Sequence, residues 1–346
     1  MFEDIELAKR EIRTRTSKIM GGYITEQLFV EKYHELYPER MYAKGWWGGI
    51  ENSANKTLTF FVIKDTLSAL DVEVINRLRG HGYLCNQIIM KDDKIYICTE
   101  DRTVLAEEYV RERGLAARHD PDRTRNVVEG DEHLEECIEK YERNGTLREI
   151  ANSIYIEDHF LNAYYSISNI DLIGEDDAGC PIYIEIKFKN EFSHTREDGT
   201  KELVFGIDKL QYEQLFPAFA SSGMMVVNAI LYNDIKDQQN TSTTVIFDYL
   251  CAKNGAGYVW KYKVINPGVD YAQHHFKSRY TSWYGDEGRT VRCVPLREYR
   301  DFGTAVDSGR WGICHICNHG YRVIRHYEGR EFLGCTEYES HNRVGE

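Results

Sequence analysis

The pattern of hydrophobic and polar residues in the first third of the chain predicts a small α+β domain. Residues 3–40 have a polar, helical pattern. A buried strand, an amphipathic helix, a two-stranded hairpin and a second helix follow, in KTLTFFVIKD, ALDVEVINRLRGHG, YLCNQIIMKDDKIYICTED and RTVLAEEYVRERGL. This β-α-β-β-α unit belongs to a predicted N-terminal domain over residues 1–120, whose role the pattern does not indicate.

A different pattern follows the polar segment AARHDPDRTRNVVEGDE, which we interpret as a linker. Helical periodicity runs from residue 131 to about 162, and a hairpin of short strands occupies residues 169–190. Beyond it come a charged loop, a helix, an unbroken apolar run that predicts a central strand, and two further strands, in NEFSHTREDGTKE, GIDKLQYEQLF, MMVVNAILY, TTVIFDYL and GYVWKYKVI. This order predicts an α/β fold for residues 131–270, with a mixed sheet flanked by helices.

The hairpin at residues 169–190 carries charge in the middle of both strands. Because alternate side chains of a strand share one face, Glu185, Lys187 and Lys189 fall together, with apolar residues between them. Asp171 lies in the first strand. Two carboxylates on neighbouring strands can hold one Mg²⁺ ion, whose other positions take water and phosphate oxygens. A lysine two residues further along can orient the attacking water or offset developing charge.

At these residues the chain resembles the PD-(D/E)XK nuclease superfamily, whose signature is an Asp at the end of one strand and Glu-x-Lys in the next. Asp171 in NIDLIG and Glu185-Ile186-Lys187 in YIEIK match this signature, and Ile170 replaces the proline, as in many members. The resemblance covers roughly residues 131–265. It implies a restriction-endonuclease-like fold and a nuclease that depends on Mg²⁺ or Mn²⁺, with Asp171 and Glu185 as metal ligands and Lys187 as a catalytic residue.

The alternative interpretation of the hairpin is structural: an exposed pair of strands with a solvated charged face, on which Glu185 pairs with a lysine. The helix that follows offers a check, because its inward arc of apolar residues also contains Gln211 and Gln214. Buried amides need hydrogen-bond partners, which a site of phosphate, metal-bound water and Lys187 supplies. Gln211 is the preferred catalytic-site residue, and the alternative is a pair of half-buried glutamines near a helix end.

The superfamily usually adds an acidic residue from the first helix of its core. We favour Glu149 because its segment, TLREIANSIY, can pack on the hairpin, whereas the glutamates of EHLEECIEKYER have the pattern of a solvated helix face. The sequence leaves four candidates for this position: Glu139, Glu142, Glu149 and Glu157.

The last 33 residues contain three of the nine cysteines with the spacing of a metal site. Cys314 and Cys317 form C-x2-C, Cys335 follows after 17 residues, and His341 after five more. Four such ligands are typical of a zinc ribbon, in which a closed tetrahedral site has a structural role. The segment GREFLGCTEYESH resembles the C-terminal zinc ribbons of bacterial type I topoisomerases, although His341 stands where a fourth cysteine is usual.

The spacing of these ligands predicts one structural Zn²⁺ in a ribbon over residues 306–346. Other histidines of the segment compete as ligands, and the one between the first two cysteines is poorly aimed. They are His315, His319 and His326. The alternative is a tail with three free cysteines.

The net charge and its distribution along the chain limit the ways in which the protein can bind nucleic acid. The net charge of −13 excludes a protein that coats nucleic acid nonspecifically, because phosphate binding depends on lysine and arginine. The acidic excess belongs to the first 276 residues, with 32 Lys and Arg against 46 Asp and Glu, whereas the rest has 11 against 10. A nucleic-acid-binding surface must therefore be local, and the C-terminal quarter, with arginines among aromatic residues, is one place for it.

The N-terminal sequence and the length of the apolar stretches predict the cellular location of the protein. The charged N-terminus and the lack of a long apolar stretch predict neither a signal peptide nor a membrane segment, and therefore a cytoplasmic protein with no membrane partner. Homo-oligomerisation is left open.

The turn GWWGG at residues 45–49 could stack a base, but packing explains paired tryptophans more often.

Three classes of function follow. The favoured class is a metal-dependent nuclease that hydrolyses phosphodiester bonds of nucleic acid, with DNA as the expected substrate, in restriction, repair or anti-phage defence. The alternative is a catalytically inert nucleic-acid-binding or adaptor protein that uses the zinc ribbon, although the intact Asp171, Glu185 and Lys187 argue against it. A structural scaffold is the third class.

Overall fold

The structure of the chain, a computed structural model, describes residues 4–92, 94–121, 125–176, 179–188, 191–232, 259–276, 289–302, 322–327 and 330–335. The fold is mixed α/β, as the hydrophobic pattern predicts. It divides into two compact units. The first contains residues 4–35 and Ala43–Leu172, and the second contains Leu36–Tyr42 and the described residues from Ile173 onward. Within the described ranges, no helix has the length and apolar character to cross a membrane.

The first unit is built around one sheet. Its strands are β1 Trp46–Glu51, β2 Leu58–Ile63, β3 Leu84–Lys91, β4 Lys94–Cys98, β5 Thr103–Leu105 and β6 Tyr165–Ile170, in the order β5-β4-β3-β2-β1-β6. Its helices are α1 Ile5–Ile12, α2 Ser17–Leu36, α3 Ala69–Gly80, α4 Ala106–Glu112, α5 Glu132–Arg143, α6 Leu147–Ile156 and α7 Asn162–Tyr164, with a π-helical turn at Glu157–Leu161. Strands β2 and β3 are parallel, and the other pairs are antiparallel.

The predicted β-α-β-β-α unit is confirmed by β2, α3, β3, β4 and α4. The interpretation of GWWGG as a turn is wrong, because the segment lies in β1, between β2 and β6, where Trp46 and Trp47 are buried. Packing rather than base stacking accounts for both rings. The pairing of β1 with β6, in which Trp46 is opposite Ile170, joins segments that are far apart in the sequence.

A buried aspartate secures the start of α3. Ser68 caps this helix in a capping box with Asp71, whose carboxylate accepts hydrogen bonds from the backbone and hydroxyl of Ser68. The same carboxylate accepts from Nε1 of Trp46 at 2.8 Å and from Nζ of Lys64, which lies 2.8 Å from both of its oxygens. Strand β1, the end of β2 and helix α3 are therefore joined at one charged group.

A second buried charge cluster links the loop after α1 to the π-helical turn. The guanidinium of Arg15 donates to Asp158 at 2.7 and 2.9 Å and to Glu157 at 3.0 Å, and Arg125 also pairs with Asp158. Burial, and then the negative charge of Asp158, raise the pKa of Glu11 from 4.5 to about 7. Glu11 is thus a carboxyl group that titrates near neutral pH.

The second unit contains two larger sheets and a hairpin. Its strands are β7 Leu172–Glu175, β8 Pro181–Phe188, β9 Phe192–Thr195, β10 Lys201–Asp208, β11 Met225–Tyr232, β12 Val259–Ile265, β13 Gln273–Phe276, β14 Arg289–Pro295, β15 Arg300–Asp301, β16 Arg322–Tyr327 and β17 Arg330–Cys335. The sheet orders are β15-β12-β11-β8-β7, β13-β14-β10-β9 and β16-β17. A π-helical turn at Gln211–Leu215 continues into helix α8, Phe216–Ser221, and a 3-10 turn covers Leu296–Glu298.

The pattern predicted this unit in part. The adjacent strands β7 and β8, the buried β11 and strand β12 are confirmed, and the mixed sheet follows because β11 is parallel to β8 and antiparallel to β12. The predicted loop in NEFSHTREDGTKE is wrong, because it forms the hairpin of β9 and β10. The predicted helix also begins too early, because β10 extends to Asp208. The predicted strand TTVIFDYL lies outside the described residues.

Candidate active site

Glu185 is the centre of a buried polar cluster on β8. Its side chain is only 1% exposed. The carboxylate accepts a hydrogen bond from the hydroxyl of Tyr183 at Oε2, at 2.6 Å, and from Nε2 of Gln211 at Oε1. The ammonium group of Lys187 forms an ion pair with the same Oε1. The structure therefore brings together three residues that the sequence proposes for the site, Glu185, Lys187 and Gln211.

The period of β8 explains why these groups meet. Tyr183, Glu185 and Lys187 alternate along the strand, so they share one face. The ring of Tyr183 packs against Phe216 and Phe219 of α8, with ring centroids 5.4 and 4.7 Å apart. Helix α8 thus covers this face, and β8 is buried on both sides up to Ile186. Glu185 is buried and Lys187 is only partly exposed, so these two charges do not form a solvated face, although Glu185 does pair with a lysine. Lys189 lies outside the described residues.

Gln211 begins the π-helical turn before α8. Its side chain is 3% exposed, and its Oε1 accepts no hydrogen bond from any residue in the described parts of the chain. Gln214, the other candidate on this turn, is exposed. The inward arc of the helix therefore contributes Gln211 alone, and it leaves one buried acceptor next to Glu185. Such π-helical turns are frequent at functional sites.

Asn228 holds the main chain of β8 from the neighbouring strand. It lies directly opposite Glu185 on β11, and its Nδ2 donates to the carbonyl oxygen of Glu185 at 3.3 Å. Its Oδ1 accepts from the hydroxyl of Tyr299 at 2.7 Å. Burial raises the pKa of Tyr299 well above 10, so this hydroxyl remains a donor at neutral pH.

Tyr183, Asn228 and Tyr299 were not predicted from the sequence. Two of them nevertheless leave a signal there. Tyr183 precedes Glu185 by two residues and so shares its face, and Asn228 is a polar residue inside the apolar run MMVVNAILY. A buried amide in such a run needs partners, which indicates a polar site beside the strand.

Asp171 does not lie within a strand, as the hairpin pattern predicts, but between two strands, where the chain leaves one sheet for another. It follows the last residue of β6, which pairs with β1, and precedes β7, which lies beside β8. The residue is buried. Its position one residue before the strand next to β8 agrees with the order of the proposed motif, and its role as a metal ligand stays a prediction.

The four candidate helix glutamates have different environments in the first unit. Glu149 is exposed on α6 and lines a cavity. Glu142 pairs with Lys9 at 3.0 Å, Glu157 belongs to the buried charge cluster, and Glu139 is exposed on α5. The choice of Glu149 as the fourth acidic residue stays a prediction.

The proposed zinc ligands lie mostly outside the described residues, which is the case for Cys314, Cys317 and His341. Cys335 is described: it is buried at the end of β17, in the hairpin with β16. Within the described ranges, no group of three or more His, Cys, Asp or Glu side chains is placed to hold a metal ion.

Comparisons with known proteins add no relative. No family model, no curated protein and no solved structure matches this chain. The function must therefore be inferred from the chemistry of the cluster around Glu185.

Proposed function

We propose that the chain is a metal-dependent nuclease that hydrolyses phosphodiester bonds of nucleic acid, with DNA as the expected substrate. One observation carries the proposal: a buried carboxylate, Glu185, lies on a central strand with Lys187 two residues later on the same face, and both Lys187 and the amide of Gln211 contact its Oε1. Charged groups are costly to bury. Functional sites are where such groups concentrate.

The topology around Glu185 supports a restriction-endonuclease-like core. Strands β7 and β8 are neighbours, and Asp171 immediately precedes the first of them. Helix α8 leads into β11, which pairs in parallel with β8. The connection between the parallel strands thus contains a helix, which covers the face with Glu185. The inserted hairpin of β9 and β10 is additional to the proposed core.

The donor set fits a hard divalent cation. Carboxylate and amide oxygens are preferred ligands of Mg²⁺ and Mn²⁺. We propose Asp171 and Glu185 as its ligands, and the buried Oε1 of Gln211, which accepts from no described residue, adds an oxygen near Glu185. The ion would supply a water of lowered pKa as the attacking group.

The residues of the chain would stabilise the charge that develops during hydrolysis and fix the orientation of the carboxylate of Glu185. In hydrolysis, a bond forms between the water oxygen and phosphorus, and the bond from phosphorus to the leaving oxygen breaks. The attacking water loses one proton, and the leaving oxygen takes up one proton from solvent and becomes a hydroxyl, so the two transfers balance. Lys187 would offset the negative charge that develops on the phosphoryl oxygens. Gln211 would fix the orientation of Glu185 through its Nε2 donor.

The experiment is a cleavage assay with the full chain on duplex DNA, single-stranded DNA and RNA, with Mg²⁺, Mn²⁺ or a chelator. Glu185→Gln and Asp171→Asn keep shape but remove charge, and each should abolish cleavage. Gln211→Ala should slow it without eliminating it. Glu197→Gln, at an exposed position beyond β9, is the matched control and should cleave normally. Unchanged turnover by Glu185→Gln, or cleavage in the chelator, would overturn the proposal.

The inert nucleic-acid-binding or adaptor protein remains the second candidate. The carboxylate of Glu185 already accepts from three side chains of its own protein, as expected for a structural pair. Binding of DNA or RNA without cleavage under every metal condition would favour this candidate.

We extend the proposal to a C-terminal zinc ribbon that binds nucleic acid. The hairpin of β16 and β17, which ends at the buried Cys335, supports a small module at this end of the chain. Removal of the chain after about residue 305 should weaken nucleic-acid binding several-fold and reduce its dependence on salt, because arginines are lost. Cleavage at saturating substrate should survive. Loss of self-association or of protein partners, with nucleic-acid binding unchanged, would make the segment a protein-interaction module.

A further inference from the structure

A cavity of about 330 Å³ opens in the first unit, at the carboxyl ends of β2 and β3. These strands are parallel and are connected through α3. Four apolar residues line the cavity: Ile63, Ile88, Met90 and Ile156. In α/β sheets, ligands bind outside the carboxyl ends of parallel strands. The volume is within the range of small-molecule sites.

Two segments supply polar groups to this cavity. The loop from β2 to α3 contributes Lys64, Asp65 and Thr66. Helix α6 contributes Glu149, Asn152 and Ser153, which share one face of the helix with Ile156 because their spacing follows the helical turn. These polar residues, which we call the rim, line the cavity together with the four apolar residues.

The charge of the rim selects the ligand. The ammonium of Lys64 is engaged by the buried carboxylate of Asp71, at 2.8 Å from both oxygens. The carboxylates of Asp65 and Glu149 are exposed, and neither has a hydrogen bond or ion pair with any residue in the described part of the chain. The rim thus offers two uncommitted negative charges, whereas its positive charge is already neutralised.

We propose that this cavity binds a small organic cation, an amine, guanidinium or amidinium compound with a compact apolar body. The apolar body would contact Met90 and its neighbours, and the cationic group would pair with Glu149 and Asp65. Phosphorylated ligands, which are usual at the ends of parallel strands, would be repelled by the same carboxylates. This function is separate from the proposed nuclease, and it gives Glu149 a role other than phosphodiester hydrolysis.

Three ring compounds of nearly equal shape test the charge selection: benzamidine, benzamide and benzoate. They are titrated into the full chain carrying ¹³C-methyl methionine, and Met90 is identified by comparison with Met90→Leu. The other five methionines serve as internal controls. Benzamidine should shift the Met90 methyl resonance saturably, and benzamide should bind at least ten-fold more weakly. Benzoate should give no shift.

Two variants locate the binding groups. Glu149→Gln and Asp65→Asn should each weaken benzamidine binding about ten-fold, whereas Glu139→Gln, at an exposed position on α5 outside the cavity, should leave it unchanged. Benzoate binding as tight as that of benzamidine would overturn the proposal. The same holds if Met90 does not respond, or if both cavity variants bind benzamidine normally. Because none of these readouts involves nucleic acid, failure here leaves the nuclease proposal unaffected.

Discussion

Replacing Lys187 by methionine removes the ammonium group that contacts Oε1 of Glu185 and keeps most of the aliphatic side chain. The carboxylate, which is 1% exposed, would stay buried beside the neutral donors Tyr183 and Gln211. Removal of one partner from a buried pair costs about 3–5 kcal/mol. Because the Lys187 side chain is 23% exposed, water screens part of the interaction, and we expect the lower value, about 3 kcal/mol.

The double variant Glu185→Gln/Lys187→Met is the matched control. It has no charge at either position, and the new amide can still accept from Tyr183. It should therefore be about 2 kcal/mol more stable than Lys187→Met alone. Hydrogen exchange of the amides of β8 and β11 measures the opening free energy of this sheet, even where the two units unfold separately. A Lys187→Met variant as stable as the wild type, or a double variant no better than the single one, would contradict this account of the pair.

The same pair of variants separates structure from catalysis. Loss of cleavage by Lys187→Met alone could reflect unfolding of the sheet, so the assay must be run at a temperature where the amides of β8 remain protected. A folded double variant that has lost cleavage would assign the pair to catalysis. Wild-type cleavage by that variant would instead show that the pair only stabilises the sheet.

Three further predictions concern titration, metal selectivity and zinc. The pKa of Glu11 is raised from 4.5 to about 7 in the folded protein, so its ionisation lowers the free energy of unfolding. Below pH 4.5 the group is protonated in both the folded and the unfolded state and has no effect. The loss of stability grows from pH 4.5 to pH 7 and is complete above pH 7. Glu11→Gln should therefore match the wild type at pH 4 and exceed it at pH 8 by up to about 3 kcal/mol in urea unfolding, and an equal difference at both values would contradict this. Tyr183→Phe frees Oε2 of Glu185 for bidentate binding, so calorimetry should show a shift in affinity from Mg²⁺ towards Ca²⁺; an unchanged ratio argues against control by Tyr183. Metal analysis should find one Zn²⁺ per wild-type chain and none in Cys335→Ser. A wild-type chain without zinc would contradict the prediction of a zinc ribbon.

The periodicity of the sequence was enough to predict part of the candidate site. Glu185 and Lys187 share a face because a strand has a period of two, and Gln211 lies in the inward arc of the next helical segment. The period did not predict that both faces of β8 are buried. The face that carries Tyr183 and Glu185 is covered by α8, which comes from a later part of the chain.

Other elements were hidden because their partners are distant or their residues are polar. Strand β9 has the sequence FSHT, with one apolar residue, and its conformation depends on pairing with β10. Strand β1 contains two glycines and two tryptophans, a composition typical of a turn, yet it pairs on both edges with β2 and β6. Cross-strand pairing overrides local preference in both segments.

The donors that orient Glu185 explain why a motif alone describes this site incompletely. Gln211 and Asn228 are 26 and 43 residues away from Glu185 in sequence, and Tyr299 lies a further 71 residues beyond Asn228. Each polar group would be costly to bury alone, and each makes at least one hydrogen bond to another member of the set, although Oε1 of Gln211 accepts none from the described residues. The position of the carboxylate is therefore specified by the tertiary fold as much as by β8. Of the members that the sequence did not predict, Asn228 leaves the clearest signal, because a single amide within an otherwise apolar buried strand requires polar partners from other elements.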